Sequence, residues 1–283
     1  MKITFIGGGN MAAALIGGLK KQGFSVAGIQ VVEPFAESRE RLTHSFGVRS
    51  TAQVDAAALA CDVVVLAVKP QVLREAVAPL AGRLAGQLVV SIAAGLRLAD
   101  IAAWLGNYRR VVRAMPNTPA LIGAGTSGVV ADASVDDSGR EQAERILQAV
   151  GSVVWLDTEA AMDAVTAVSG SGPAYVFYFI EAMEAAAVEL GLEAAAARQL
   201  TIETFVGAAR LAEQSHDSVA TLRERVTSKG GTTEAALRSF AHDGIAAAIG
   251  RGVQAAATRG RELGDQLGGH ASAPAGQTQG SAT

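Results

Sequence analysis

The chain has 283 residues, 49% of them hydrophobic and 18% charged, a globular balance with room for two domains or one large one. Its formal net charge of −3 argues against nucleic acid or an anionic membrane surface as a partner. Its single cysteine, Cys61, rules out a disulfide framework or a cysteine-based zinc site within one chain.

The first half alternates short apolar runs with segments of helical composition. KITFIG (2–7), GIQVVE (28–33), CDVVVLAV (61–68), QLVVSIAA (87–94) and RRVVRAM (109–115) read as strands. They are continuous apolar runs rather than alternating ones, the pattern of parallel strands covered on both faces. Helix-like segments lie between them, such as GNMAAALIGGLKKQG (9–23) and PFAESRERLTHSFG (34–47). This alternation predicts a doubly wound α/β domain of the Rossmann type. Two further strand-like runs, 125–131 and 152–157, flank a helix-like stretch at 136–151. Cys61 reads as a small core residue within its apolar run.

The loop after the first strand carries G-x-G-x-x-A as Gly7, Gly9 and Ala12, with Gly8, Asn10 and Met11 between them. Such a loop allows a tight turn, close approach of backbone to a pyrophosphate, and close packing of helix on strand. Glu33 ends the next strand, where a carboxylate suits a ribose 2′-hydroxyl and repels a 2′-phosphate. Arg39 and Arg41 follow in the next helix and read as a solvated face. NADH and NADPH both remain open. LAVKPQ (66–71) ends another strand at the edge where open α/β sheets bind ligands.

From about residue 158 the strand runs stop. Segments 173–191, 192–214 and 233–263 are alanine-rich with helical apolar spacing, and their apolar residues ring the helices widely. Burial against a second copy of the chain would account for that. From Gly264 the sequence is rich in Gly, Ser, Ala and Pro, and is expected to be disordered. The expected division is therefore a dinucleotide-binding domain at 1–157, an all-helical domain at 158–263 and a tail at 264–283. The chain start is too short in apolar residues for a signal peptide. No stretch reaches the roughly 18 apolar residues of a spanning helix. These features predict a cytoplasmic protein. The histidines His44, His216, His242 and His270 share no ligand spacing, so no metal is expected.

VTSKGGTTEAAL (226–237) crowds small polar residues before an alanine-rich helix. Such a run is either a helix cap or an anion socket, where free backbone N–H groups and the positive helix end point the same way.

FIGGGNMA, LAVKPQ, VVSIAAGL (89–96), RAMPNTPALIGAG (113–125), SGSGPAYVF (169–177) and VTSKGGTTEAAL occur in an order and spacing that resembles the pyrroline-5-carboxylate reductases. The resemblance covers about residues 2–263. It implies a Rossmann-type domain, then a helical domain through which two chains interlock as a homodimer, with rings as larger assemblies. It implies NADPH or NADH as cofactor and 1-pyrroline-5-carboxylate as substrate. By this likeness Gly7 to Ala12, Ala67, Val68, Lys69, Pro70 and Ala94 meet the cofactor. Glu159 matches a carboxylate that helps hold the substrate-side helix. Thr232 and Thr233 hold the imino acid, and Ser228, Gly230 and Gly231 receive its carboxylate. The 169–175 turn lines the substrate pocket. The sequence departs from the family pattern at Lys229, where many members have proline, and at Arg225, where an asparagine often contacts the cofactor. Glu33–Pro34 also replaces an Asn–Arg ending that favours NADPH.

The chemistry of these residues fits. Glycine amides at a helix start suit a carboxylate, and a threonine hydroxyl suits a ring nitrogen; that catalytic contact falls to Thr233. Two other functions compete. A β-hydroxyacid dehydrogenase uses a lysine soon after a glycine-rich helix start, and 169–183 has none. A non-catalytic NAD(P)-binding regulator would keep the glycine loop but has no use for the 226–237 socket.

Overall fold

The computed structural model describes residues 1–269. Eight strands form one sheet: β1 (Ile3–Ile6), β2 (Ile29–Val32), β3 (Arg49–Thr51), β4 (Val63–Leu66), β5 (Leu88–Ser91), β6 (Val111–Pro116), β7 (Gly125–Ala131) and β8 (Gly151–Trp155). Their order is β3-β2-β1-β4-β5-β6-β7-β8. Neighbouring pairs from β3 to β6 are parallel, β7 runs antiparallel to β6, and β8 is parallel to β7. After β3 the chain crosses back to lay β4 on the other side of β1, which creates between β1 and β4 the switch point where such sheets bind ligands.

The helices are α1 (Asn10–Lys21), α2 (Ala36–Phe46), α3 (Ala56–Leu59), α4 (Pro70–Val77), α5 (Leu98–Trp104), α6 (Asp137–Leu147) and α7 (Met162–Val165). A single π-helical turn, Thr166–Gly170, follows, and then α8 (Gly172–Glu189), α9 (Ala194–Gln214), α10 (Val219–Arg225), α11 (Thr232–His242) and α12 (Ile245–Gly268). By contacts the described residues separate into two compact units, one of residues 1–171 with 256–269, the other Gly172–Ala255.

In the first unit the alternation of each strand sorts its side chains onto two cores. Ile3, Phe5, Val63 and Val65 pack on one face with Leu15, Ile16 and Leu19 of α1, Leu42 of α2 and Ile146 of α6. Ile6, Val64 and Leu66 pack on the other with Leu73 and Val77 of α4 and Ile101 of α5. The continuous valine and isoleucine runs follow from this, since both faces of a central strand are covered. β3 was not visible in the sequence. Arg49, Ser50 and Thr51 form a polar edge strand placed by backbone pairing to β2. Cys61 stands two residues before β4 rather than inside it, half-buried against the second core.

The second unit is all-helical among the described residues, and its helices are apolar on faces that remain open. Phe177, Tyr178 and Leu190 are 65, 70 and 87% exposed. The expected single helix at 233–263 is two. Gly244, at φ +66°, follows the end of α11, and α12 starts at Ile245. A left-handed residue at a helix end is where glycine costs least.

The disordered tail expected from Gly264 is corrected over its first residues. Gly264 to Gly268 continue α12, and Gly264 is buried. Small residues there serve close packing rather than disorder. Asp265 pairs with Arg97 at 2.5 Å. The remainder of the expected tail, His270 to Thr283, lies outside the described residues. Ending the chain at Leu263 is expected to lower stability by about 1–2 kcal/mol relative to a chain ending at Gly269. Coincident thermal melts of the two would contradict this.

Candidate functional site

Three adjacent glycines follow β1, each placed for a different reason. Gly7 sits at φ +99°, and a Cβ there would stand 2.7 Å from the Ala67 carbonyl oxygen. Its N–H donates to Val32 O at 2.8 Å. Gly8 is closed in by Leu42, whose Cδ1 would lie 2.6 Å from a Cβ. Gly9 has nothing within 4 Å of a Cβ position. It is the N-cap of α1, with no side chain capping the helix and no acidic residue in its first turn. The uncapped amides of α1 therefore open onto free space beside a residue without a side chain, and that cradle fits a pyrophosphate. Asn10 is exposed, Met11 half-buried and Ala12 fully buried against the sheet.

Glu33 is only 7% exposed. One carboxylate oxygen accepts from Gly8 N at 2.8 Å and the other from Phe35 N at 3.0 Å. The carboxylate expected at the ribose is thus also a strut that fixes the glycine loop to the β2–α2 turn. Arg39 does not belong to a merely solvated face. Its Nη1 donates to the carbonyls of Glu33 and Pro34, at 2.8 and 2.7 Å. Arg41 reaches Gly8 O at 3.4 Å.

Ala67, Val68, Lys69 and Pro70 leave the carboxyl end of β4. Ala67 N bonds Ile6 O at 2.8 Å, Lys69 is the N-cap of α4, and Pro70 is its first residue. Ala94 lies in the loop after β5, whose Ile92 N bonds Leu66 O at 3.1 Å. The structure thus gathers Gly7 to Ala12, Glu33, Ala67 to Pro70 and Ala94 at the carboxyl ends of four neighbouring strands. Cys61 stands apart from this edge, and burial raises its thiol pKa, with the Asp62 charge adding to the effect.

Glu159 joins three segments of the first unit. Its Oε1 accepts from Arg113 Nη1 at 2.9 Å and from Leu98 N, the first residue of α5, at 2.7 Å. Arg113 is buried in β6. Glu159→Gln should lower stability by about 1.5 kcal/mol, because the bond lost is to a buried charge. An unchanged melt with a raised imino-acid KM would assign the carboxylate to substrate instead.

Sequence reasoning missed Asn117. Its Oδ1 accepts from Thr126 N at 2.9 Å, and its Nδ2 donates to Ser169 O and Oγ at 3.3 and 3.4 Å. The contact anchors the π-helical turn, a feature that recurs at functional sites. Gly170 of that turn packs against the tip of Met115, whose Cε would lie 2.6 Å from a Cβ and would have to shift to admit one. The signal was an asparagine directly after a strand-ending proline, inside a motif already singled out.

In the second unit the 226–233 run forms the entry to α11. Gly230, at φ +75°, turns the chain, and Gly231 is the N-cap. The two glycine amides expected to receive a carboxylate are already engaged. Gly230 N donates to Glu234 Oε2 at 2.6 Å and Gly231 N to Ser228 O at 3.0 Å. The amides left without a described acceptor are those of Thr232, Thr233 and Glu234, the first turn of α11. No hydrogen bond engages the hydroxyls of Ser228, Thr232 or Thr233 among the described residues. Arg225 is held by Asp217.

Residues 159–263 match the family model for pyrroline-5-carboxylate reductase dimerisation, and residues 2–95 match that for NADP oxidoreductases that are coenzyme F420-dependent. A pyrroline-5-carboxylate reductase of Pseudomonas aeruginosa is 49% identical over 94% of this chain and 98% of its own length. That of Haemophilus influenzae is 41% identical over 92% and 97%. The chain belongs to the pyrroline-5-carboxylate reductase family. Among solved structures, the Coxiella burnetii reductase aligns with a TM-score of 0.88 at 40% identity, covering 93% of this chain and 98% of that one. The Plasmodium falciparum pyrroline carboxylate reductase with NADP bound aligns at 0.83 with 27% identity, covering 93% and 98%. Family membership and the absence of lysine from residues 169–183 both count against the β-hydroxyacid alternative.

Proposed function

We propose that this reductase transfers hydride from NADPH or NADH to the C=N carbon of 1-pyrroline-5-carboxylate and so forms L-proline. Family membership over nearly the whole chain supports this reading. The observation that carries it is the glycine loop: an open Gly9 beside the uncapped start of α1, at the switch point of the sheet. When bound, the nicotinamide supplies the hydride. Gly7 to Ala12 hold the pyrophosphate, and Ala67 to Pro70 and Ala94 border the nicotinamide half. The free amides of Thr232, Thr233 and Glu234, with the Ser228 hydroxyl, receive the substrate carboxylate. The Thr233 hydroxyl meets the ring nitrogen, which takes up one proton as hydride adds to carbon. Gly230 and Gly231 shape this entry and bring Ser228 to it.

The division of labour follows the sequence. Residues 1–157 serve the cofactor, and 158–263 serve substrate and self-association. Two chains pair as an interlocked homodimer through the open faces of α8 and its neighbours, and such dimers can build rings. The family match to a dimerisation model and the exposed Phe177, Tyr178 and Leu190 support the pairing. The cytoplasm is the compartment that suits a lone, half-buried thiol. Among the described residues no helix is long and apolar enough to cross a membrane.

The deciding experiment is a turnover assay with pyrroline-5-carboxylate, run with NADH and NADPH in parallel. Nucleotide oxidation that depends on the imine, with proline as product, is expected. Cofactor binding without turnover would return the protein to the class of NAD(P)-binding regulators.

A further inference from the structure

The last turn of α12 lies against the segment that follows β5. Gly264 is the only described residue of α12 that is buried. A Cβ on it would stand 2.7 Å from the Gly95 carbonyl oxygen, a backbone atom with no freedom to swing aside. Gly95 itself turns the loop at φ +80°. One residue on, Asp265 Oδ1 accepts from Arg97 Nη2 at 2.5 Å. Gly268 meets Asp100, whose Oδ2 would lie 2.4 Å from a Cβ there. The same segment is held at its start by Ile92 N on Leu66 O, and at its far end by Leu98 N on Glu159. Residues 92–97 are therefore fixed at both ends and pressed from one side by a helix.

In a sheet of order 3-2-1-4-5-6 the dinucleotide crosses at the β1/β4 switch point, and its second half lies over the ends of β4 and β5. The 92–96 loop borders that half. Its backbone position sets how closely the nicotinamide ribose can approach. We propose that Gly264 and Asp265, beyond the segment that matches the dimerisation family model, position the Ala93–Gly95 loop for the cofactor. They touch no reacting atom and act through the loop. Asp265 also raises the Arg97 pKa, chiefly through their hydrogen bond, in keeping with a persistent pair.

The inference rests on the cofactor site proposed above, and its test reads cofactor binding directly, without turnover. NADPH and NADH are titrated into the full-length protein, with a thermal melt on each variant. Gly264→Ala forces the loop to move and is expected to weaken cofactor binding about tenfold, since displacements of this kind near a reacting centre are costly. Gly268→Ala presses on the Asp100 side chain instead of the loop backbone. It is expected to lower the melting temperature while leaving the cofactor Kd within about twofold of the parent. Asp265→Asn keeps the volume and removes the ion pair, with about threefold weaker binding expected. It decides the question if Gly264→Ala does not fold. A folded Gly264→Ala with parental affinity, equal weakening in Gly268→Ala, or an unchanged Asp265→Asn would each overturn the proposal. A parent protein that binds cofactor but fails to reduce the imine would sink the reductase activity and leave this inference standing.

Discussion

Gly9→Val is expected to give a folded protein whose cofactor KM is raised about 100-fold, equivalent to about 2.7 kcal/mol of lost binding. Three neighbouring glycines make the argument specific. A side chain at Gly7 would meet the Ala67 backbone, and one at Gly8 would meet Leu42, so both substitutions strike the protein itself. Gly7 also has φ +99°, which adds backbone strain for any other residue. Gly9 differs on both counts. Its φ of −72° and ψ of −173° suit valine, and nothing stands within 4 Å of the new Cβ. The only thing a side chain there can displace is the ligand. Loss of the glycine N-cap costs about 1 kcal/mol or less, which a melt would register as a small shift. Gly7→Ala should show the reverse balance, with stability falling first. A folded Gly9→Val protein with ordinary nucleotide titration would remove the pyrophosphate from this loop.

The parts of this fold that could be read from the sequence are those where burial dictates composition. β1, β4 and β5 are covered on both faces, so every residue in them is buried and all but Thr4 and Ser91 are apolar, and the runs stood out. β3 is set by hydrogen bonds along the sheet edge, which leave no mark on side-chain type. The glycine loop was legible because its chemistry constrains residue identity. The duties of Glu33 were legible only in part. An acidic residue after β2 was visible, but its bonds to Gly8 N and Phe35 N depend on a turn that composition does not specify. Gly264 shows the opposite failure. Glycine, serine and alanine in a terminal segment read as disorder, yet at Gly264 smallness permits two backbones to touch. Composition cannot separate these cases, because both call for the absence of a side chain. Within 226–237 the amides left open are those of the first turn of α11 rather than those of Gly230 and Gly231, since Glu234 takes the Gly230 amide from four positions away and Ser228 O takes that of Gly231.

Thr233→Ala should lower kcat/KM for pyrroline-5-carboxylate by roughly 10- to 150-fold, with cofactor affinity little changed. That range corresponds to about 1.5–3 kcal/mol, the size of one hydrogen bond to a charged group. The competing account makes Thr233 a helix cap, and the structure weakens that account. The N-cap of α11 is Gly231, so Thr233 is the second residue inside the helix, and its hydroxyl caps nothing. A half-buried helical threonine with no hydrogen bond to lose should tolerate alanine well, because alanine has the higher helix propensity. The melting temperature is therefore expected to hold or rise slightly while turnover falls. Ser228→Ala should act more mildly, since the amides of α11 still hold the carboxylate. Steady-state kinetics and a melt on the same preparation separate the accounts. A Thr233→Ala protein that melts early but turns over normally would make the threonine structural and leave the ring nitrogen without its partner.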